Sequence, residues 1–193
     1  MTVGRGKNFE EKETKAILEI LKNTKFTMHN RGRYKRFRWY GQEKMKNAFG
    51  EDLLSYITQM TYPYGDPIIT CWSHLYKAGT GFMGLHQDKE ALGGFKKIMD
   101  MHGHSTWSGG DYPNPLKLWS TSLLIDKSDD MEGGELVLAG DGYEDYEKLG
   151  SRLKIVDLKE RGQTASWNGE TLHGCAEVTR GTRWVFVTFK EEK

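Results

Sequence analysis

Cysteine is almost absent: Cys71 and Cys175 are the only two in 193 residues, which excludes a disulfide framework. Both are expected to be free thiols in a reducing cytoplasm, with no disulfide-linked partner. Long apolar runs are missing as well. No stretch approaches the roughly 20 apolar residues that cross a bilayer, and the segment from Met1 to Lys7 lacks the apolar centre of a signal peptide. A soluble protein without a membrane partner is the expectation. Nor does one sign of charge dominate, since 28 Lys+Arg face 27 Asp+Glu for a net charge of +1. The global balance announces neither a nucleic-acid binder nor an acid-loving surface, so any basic preference must be local.

What is present is 12% aromatic residues and 23 glycines, a composition that suits turn-rich β architecture better than a helix bundle. The length fits a single domain, 1–193, with its own core. Asn8 followed by Glu11 resembles a capping box, and Ala16, Ile17, Ile20 and Leu21 recur at helical spacing, which predicts a helix over about 9–22. A second stripe, Met45, Phe49, Leu53, Tyr56, Ile57 and Met60, predicts one helix over about 42–60 despite Gly50. Between them Arg31, Arg33, Lys35, Arg36 and Arg38 interleave with Tyr34, Phe37, Trp39 and Tyr40. After this N-terminal part, 1–66, short β-rich runs follow at 68–72, 116–125, 134–139, 154–158, 164–167 and 183–189. Strands at such intervals predict a sandwich or barrel over 67–190. The glycines and prolines of 89–115 argue for a long loop or lid.

Candidate chemistry begins with His86 and Asp88. In an extended segment two residues apart, pleating puts both side chains on one face, able to reach one ion. His173 supplies a second imidazole ahead of the last strand. Two histidines and one carboxylate on one side of a metal make the facial triad of non-haem Fe(II) oxygenases, which leaves positions open for a chelating 2-oxo acid and O2. His-x-Asp alone arises often by chance, but ten residues after His173 stands Arg183, opening an apolar strand where a buried cation needs an anion. A 2-oxo dicarboxylate offers that anion, and the guanidinium fork suits it. Asp100, His102 and His104 form a rival cluster, read as solvent-facing in a glycine-rich loop.

At these residues the chain resembles the Fe(II)/2-oxoglutarate dioxygenases. The matches run in order over about 68–190: Tyr76-Lys77-Ala78-Gly79, His86-Gln87-Asp88, Glu132-Gly133-Gly134-Glu135-Leu136, Leu172-His173-Gly174 and Val178 to Arg183. The resemblance implies a mainly β fold with flanking N-terminal helices, the double-stranded β-helix or jelly roll of cupin-like proteins. It implies Fe(II), 2-oxoglutarate and O2 as cofactors, with His86, Asp88 and His173 as iron ligands and Arg183 as the salt-bridge partner of 2-oxoglutarate. Tyr76 would line the pocket near the co-substrate, and Arg180 is a second candidate for its carboxylate. Gly133-Gly134 reads as a bend, with Glu135 not catalytic.

Two substrates compete within that frame. Gly-Gly-Glu-Leu and the His-to-Arg interval resemble prolyl hydroxylases acting on peptides, while the same frame is similar to TET/JBP-type oxygenases of 5-methylpyrimidines in DNA. Cations interleaved with aromatics over Arg31, Arg33, Tyr34, Lys35, Arg36, Phe37, Arg38 and Trp39 suit phosphates and flipped bases, and Lys44 and Lys46 extend the patch. The bland reading is a strand whose aromatics cover the barrel. The expectation leans to oxidation of 5-methylcytosine in DNA, with a proline-containing peptide as the alternative substrate and a non-catalytic jelly-roll binding module as a remoter one. After Asp88, Lys89 and Glu90 stand where many base oxygenases carry a base-contacting asparagine.

Overall fold

A computed structural model describes residues 4–29, 34–79, 83–88, 117–139 and 153–193. Its largest element is a seven-stranded antiparallel sheet. Its members in chain order are β1 (Gly4–Arg5), β2 (Thr27–His29), β3 (Tyr34–Tyr40), β4 (Ile68–Lys77), β6 (Leu118–Lys127), β10 (Thr164–Asn168) and β13 (Thr182–Glu191), arranged β1-β10-β6-β13-β4-β3-β2. A smaller four-stranded sheet, ordered β5-β11-β8-β9, comprises β5 (Met83–His86), β8 (Leu136–Ala139), β9 (Leu153–Val156) and β11 (Leu172–Cys175). A short pair joins β7 (Glu132–Gly133) to β12 (Val178–Arg180). This is the mainly β jelly roll that the resemblance implies.

Alternation along the strands builds two cores from one sheet. Leu124, Val185 and Trp167 pack with Leu136 and Leu138 of the small sheet, closing an interior between the two. Leu123, Ile125 and Phe186 point the other way and are covered by helices. Of these, α1 (Glu11–Lys22) buries Thr14, Ile17 and Leu21, positions three and four apart that make one stripe. Its N-cap is Glu10, extended and without a side-chain cap bond, so the Asn8–Glu11 capping box does not form.

The helix expected over 42–60 is two, α2 (Gln42–Phe49) and α3 (Glu51–Met60). Gly50 separates them at φ +75°, ψ 167°, a conformation that only glycine adopts without strain. The apolar periodicity continues across it, so the pattern concealed the break. The boundary drawn at 66/67 likewise cuts through the sheet. β3 pairs with β4 along its whole length, from Tyr34↔Tyr76 to Tyr40↔Thr70. At the far end Lys190 is buried, its Nζ donating to the carbonyls of Thr58, Thr61 and Pro63 at 2.6, 2.8 and 2.9 Å. That ammonium ties the last strand to the end of α3.

Candidate metal centre and co-substrate cavity

Two adjacent strands of the small sheet bring the candidate metal ligands together. β5 and β11 pair so that His173 lies directly across from His86, and their rings sit 4.3 Å apart between centroids. Asp88 follows two residues later, just past the end of β5. His86, Asp88 and His173 offer ligand atoms that all lie within 4.8 Å of one another. Asp88 Oδ1 is 3.8 Å from His86 Nε2, and Oδ2 is 3.4 Å from His173 Nε2.

The surroundings orient this set. His173 Nδ1 lies 3.0 Å from the Thr171 carbonyl, which can only accept, so Nδ1 carries the hydrogen and Nε2 is left for a metal. Asp88 is fully buried and accepts from Ser120 Oγ at 2.5 Å and Trp167 Nε1 at 3.1 Å, both at Oδ2. Burial pushes its carboxyl pKa up, but His173, His86 and the Ser120 hydroxyl outweigh that and hold it well below the usual carboxylate range. His173 answers in the opposite sense. Burial pulls its imidazole down, and the Asp88 carboxylate more than restores it, for a net rise. The set thus offers one carboxylate charge and two imidazoles, a donor set that fits a divalent transition metal displacing the proton shared by the pair.

The second half of the site lies across the cavity on β13. Arg183 is 4% exposed, has no carboxylate partner among the described residues, and directs Nη1 toward Cys175 Sγ at 3.6 Å. Its stem packs where Gly134 has no side chain: a Cβ there would meet Arg183 Cδ at 3.0 Å and Val178 Cγ2 at 2.9 Å. With φ at +76°, Gly134 is both a bend and the space that admits the arginine. Triad, Arg183 and Tyr76 line one cavity, walled elsewhere by Val185, Val187, Phe189 and Leu136.

Other expected site residues fall elsewhere. Arg180 sits on the exposed β7–β12 pair, bound to Glu132 at 2.5 Å and to the Asp130 carbonyl at 3.0 Å, and does not line the cavity. The basic-aromatic segment is β3, a sheet strand rather than an arm. Its pleat sends Phe37 and Trp39 outward under the helices, where Trp39 packs on Phe49 and Phe186. Lys35 shares that outer parity, while Arg36 and Arg38 pair in register with His74 and Trp72 on the inner face. Lys46 is on α2, in an exposed pair with Glu51. Arg31 and Arg33, the Tyr34 side chain, and residues 89–115, with Lys89, Glu90, Asp100, His102 and His104 and the loop or lid expected there, lie outside what is described.

Trp167 was open between core and pocket from the sequence and lies at the site, while Ser120, His74 and Trp72 were not singled out as such. Ser120 and Ser122 interrupt an apolar run at alternate positions, a legible sign of one polar face. His74 left no such sign, though it is buried in the cavity wall with Nδ1 3.3 Å from the Tyr76 hydroxyl.

No family model matches this sequence, and no curated protein is significantly similar to it. Solved structures are similar in fold. A 2OG-Fe(II) oxygenase-family oxidoreductase from Burkholderia pseudomallei superposes with TM-score 0.61 at 14% identity, over 95% of this chain and 79% of its own. HygX from Streptomyces hygroscopicus, solved with nickel and 2-oxoglutarate bound, gives 0.61 at 11% identity over 99% and 82%. A Pseudomonas putida prolyl-4-hydroxylase gives 0.55 at 13% identity over 98% and 92%. At such identities the likeness is one of fold, and the triad is this chain's own evidence. The fold is the one these Fe(II)/2-oxoglutarate oxygenase structures share, and this chain places two histidines and one carboxylate within reach of one another inside it.

Proposed function

We propose that the protein is an Fe(II)- and 2-oxoglutarate-dependent hydroxylase whose substrate is a prolyl residue in a peptide. The observation that carries the first part is the pairing, in one cavity, of a three-donor cluster with a buried arginine that has no carboxylate partner among the described residues. Iron and 2-oxoglutarate supply the oxidation when bound: O2 gives one oxygen atom to a substrate C–H bond and one to the co-substrate, which leaves as succinate and CO2.

The chain's own residues hold and shield. His86, Asp88 and His173 would ligate the iron, with Ser120 and Trp167 fixing the carboxylate and the Thr171 carbonyl fixing the tautomer of His173. Arg183 would pair with the distal carboxylate of 2-oxoglutarate, beside the Tyr76 hydroxyl. Val185, Val187 and Phe189 keep the wall dry, so charge interactions within the cavity are screened less than at the surface.

The peptide is favoured over 5-methylcytosine because the DNA reading rested on a strip that the fold divides. Base flipping needs an inserted or stacking aromatic near the site, and Phe37 and Trp39 are instead packed in the outer core, Trp39 on Phe49 of α2 and Phe37 on Phe26. The prolyl-4-hydroxylase likeness, nearly the full length of that enzyme, supports the peptide by analogy of fold. The test is incubation with Fe(II), 2-oxoglutarate and either a panel of proline peptides or a duplex containing 5-methylcytosine. Succinate release coupled to gain of one oxygen atom by a peptide is the expected result. Oxidation of the duplex with no peptide modified would overturn it.

A further inference from the structure

The cavity has an anchor at each end. At one, Ser120 and its register partner Trp167 on the large sheet hold Asp88. At the other, the Arg183 guanidinium stands 3.6 Å from Cys175, which lies two residues past His173 on β11 and so roughly 7 Å along that strand. That span suits a five-carbon dicarboxylate with one end at a metal and the other at an arginine. Two rows of the large sheet floor the gap. In the row nearer Arg183, Val185 lies between His74 and Leu124, and in the row nearer Asp88, Val187 lies between Trp72 and Ser122.

The second row breaks an apolar floor with two donors. Trp72 is 4% exposed and Ser122 3%, and both line the cavity. Trp72 Nε1 is buried with no acceptor, and the Ser122 hydroxyl enters no hydrogen bond among the described residues. The hydroxyls of Ser120 and Thr121, its neighbours on β6, are both bonded. A buried donor left unpaired costs stability unless something from outside the chain satisfies it. Sheet spacing sets the two residues roughly 10 Å apart across β13. One carboxylate accepting at each of its oxygens can bridge such a gap.

We propose that Ser122 and Trp72 bind the metal-end carboxylate of 2-oxoglutarate, and that through them the cavity tells the co-substrate from its own product. The inference rests on the co-substrate reading above and deepens it. Arg183 meets the distal carboxylate, which 2-oxoglutarate and succinate share, so it cannot separate the two. The metal-end carboxylate is the group that leaves as CO2. Succinate held at Arg183 is one carbon too short to reach the pair, so turnover removes the group that this row holds.

The experiment measures equilibrium binding to the full chain loaded with Mn(II), so that no turnover is required. The probes are 2-oxoglutarate, succinate, which keeps the distal carboxylate, and pyruvate, which keeps only the 2-oxo acid end. Ser122→Ala and Trp72→Phe should each weaken 2-oxoglutarate and pyruvate at least about tenfold, the equivalent of one hydrogen bond to a charged group, and leave succinate unchanged. Arg183→Ala should do the opposite, weakening 2-oxoglutarate and succinate but not pyruvate. A side chain that merely packs the wall would not sort the probes by the end they share. Should Trp72→Phe misfold, Ser122→Ala decides, since removing one hydroxyl leaves the packing in place. Equal loss of all three probes in Ser122→Ala, or 2-oxoglutarate binding that it does not alter, would overturn the proposal and leave the co-substrate reading standing. Wild-type protein that binds Mn(II) but none of the three probes would defeat the co-substrate reading itself.

Discussion

The two faces of the seven-stranded sheet are built from the same strands and do opposite work. On β13 the outward Phe186 packs among Trp39, Leu123 and Ile125 beneath the helices, while the inward Arg183, Val185 and Val187 line the cavity. On β6 the inward Ser120 holds the Asp88 carboxylate, and the neighbouring Thr121 turns away to Ser166 at 2.8 Å. One residue of displacement along a strand separates packing from chemistry. The outer face should therefore answer to mutation in stability, and the inner face in ligand binding.

The sharpest break of that contrast comes at the metal. His173→Ala and Asp88→Ala are expected to abolish 2-oxoglutarate turnover and Mn(II) binding, and Ser120→Ala to lose roughly 10–100-fold in metal affinity, as outer partners do. Titration with Mn(II) beside thermal melting tests this. Undiminished metal binding in His173→Ala would mean that the ligand was misassigned. On the outer face, Trp39→Ala should cost about 3–5 kcal/mol of stability in denaturant melts and leave the 2-oxoglutarate affinity of the folded protein unchanged. A weakened co-substrate would show that the faces are not independent.

Arg183→Ala should weaken 2-oxoglutarate by roughly 2–5 kcal/mol, read as a rise in KM, with only partial rescue by Arg183→Lys. An unchanged KM would move the anion to another cation. The last effect is at Lys190. Burial pulls its pKa down to about 8 from an ordinary 10.5, with Asp66 opposing. Between those values the unfolded chain holds a proton that the folded chain has released, so stability rises with pH across that window relative to a variant without the amine. Melts of wild type against Lys190→Met from pH 7 to 10.5 should show that relative gain, and parallel curves would mean that the three carbonyls keep the ammonium charged throughout.

Much of this was legible along the chain. Six of the strands were visible as short apolar runs between turns, because alternation and turn residues are local properties. The closeness of His86 and Asp88 was legible because His-x-Asp sets its two donors only two positions apart, and Arg183 stood out because a cation opening an apolar strand asks for an anion. Arg180, three residues earlier, carries the same charge and differs only in where β12 leaves it, at the surface beside Glu132. The break at Gly50 was hidden by a stripe that continues through it.

The sequence by itself determined the alternation of strands, the donor types of the metal site and the arginine that faces it. Only the tertiary structure decided which partners complete them. Trp167 and His74 reach the cavity, and Ser120 reaches Asp88, through pairings between strands far apart in the chain. The basic-aromatic segment shows the same division. Its residues read as a docking strip in one dimension, but pairing β3 with β4 sorts them onto opposite sides of a sheet, because successive side chains on a paired strand cannot share a face.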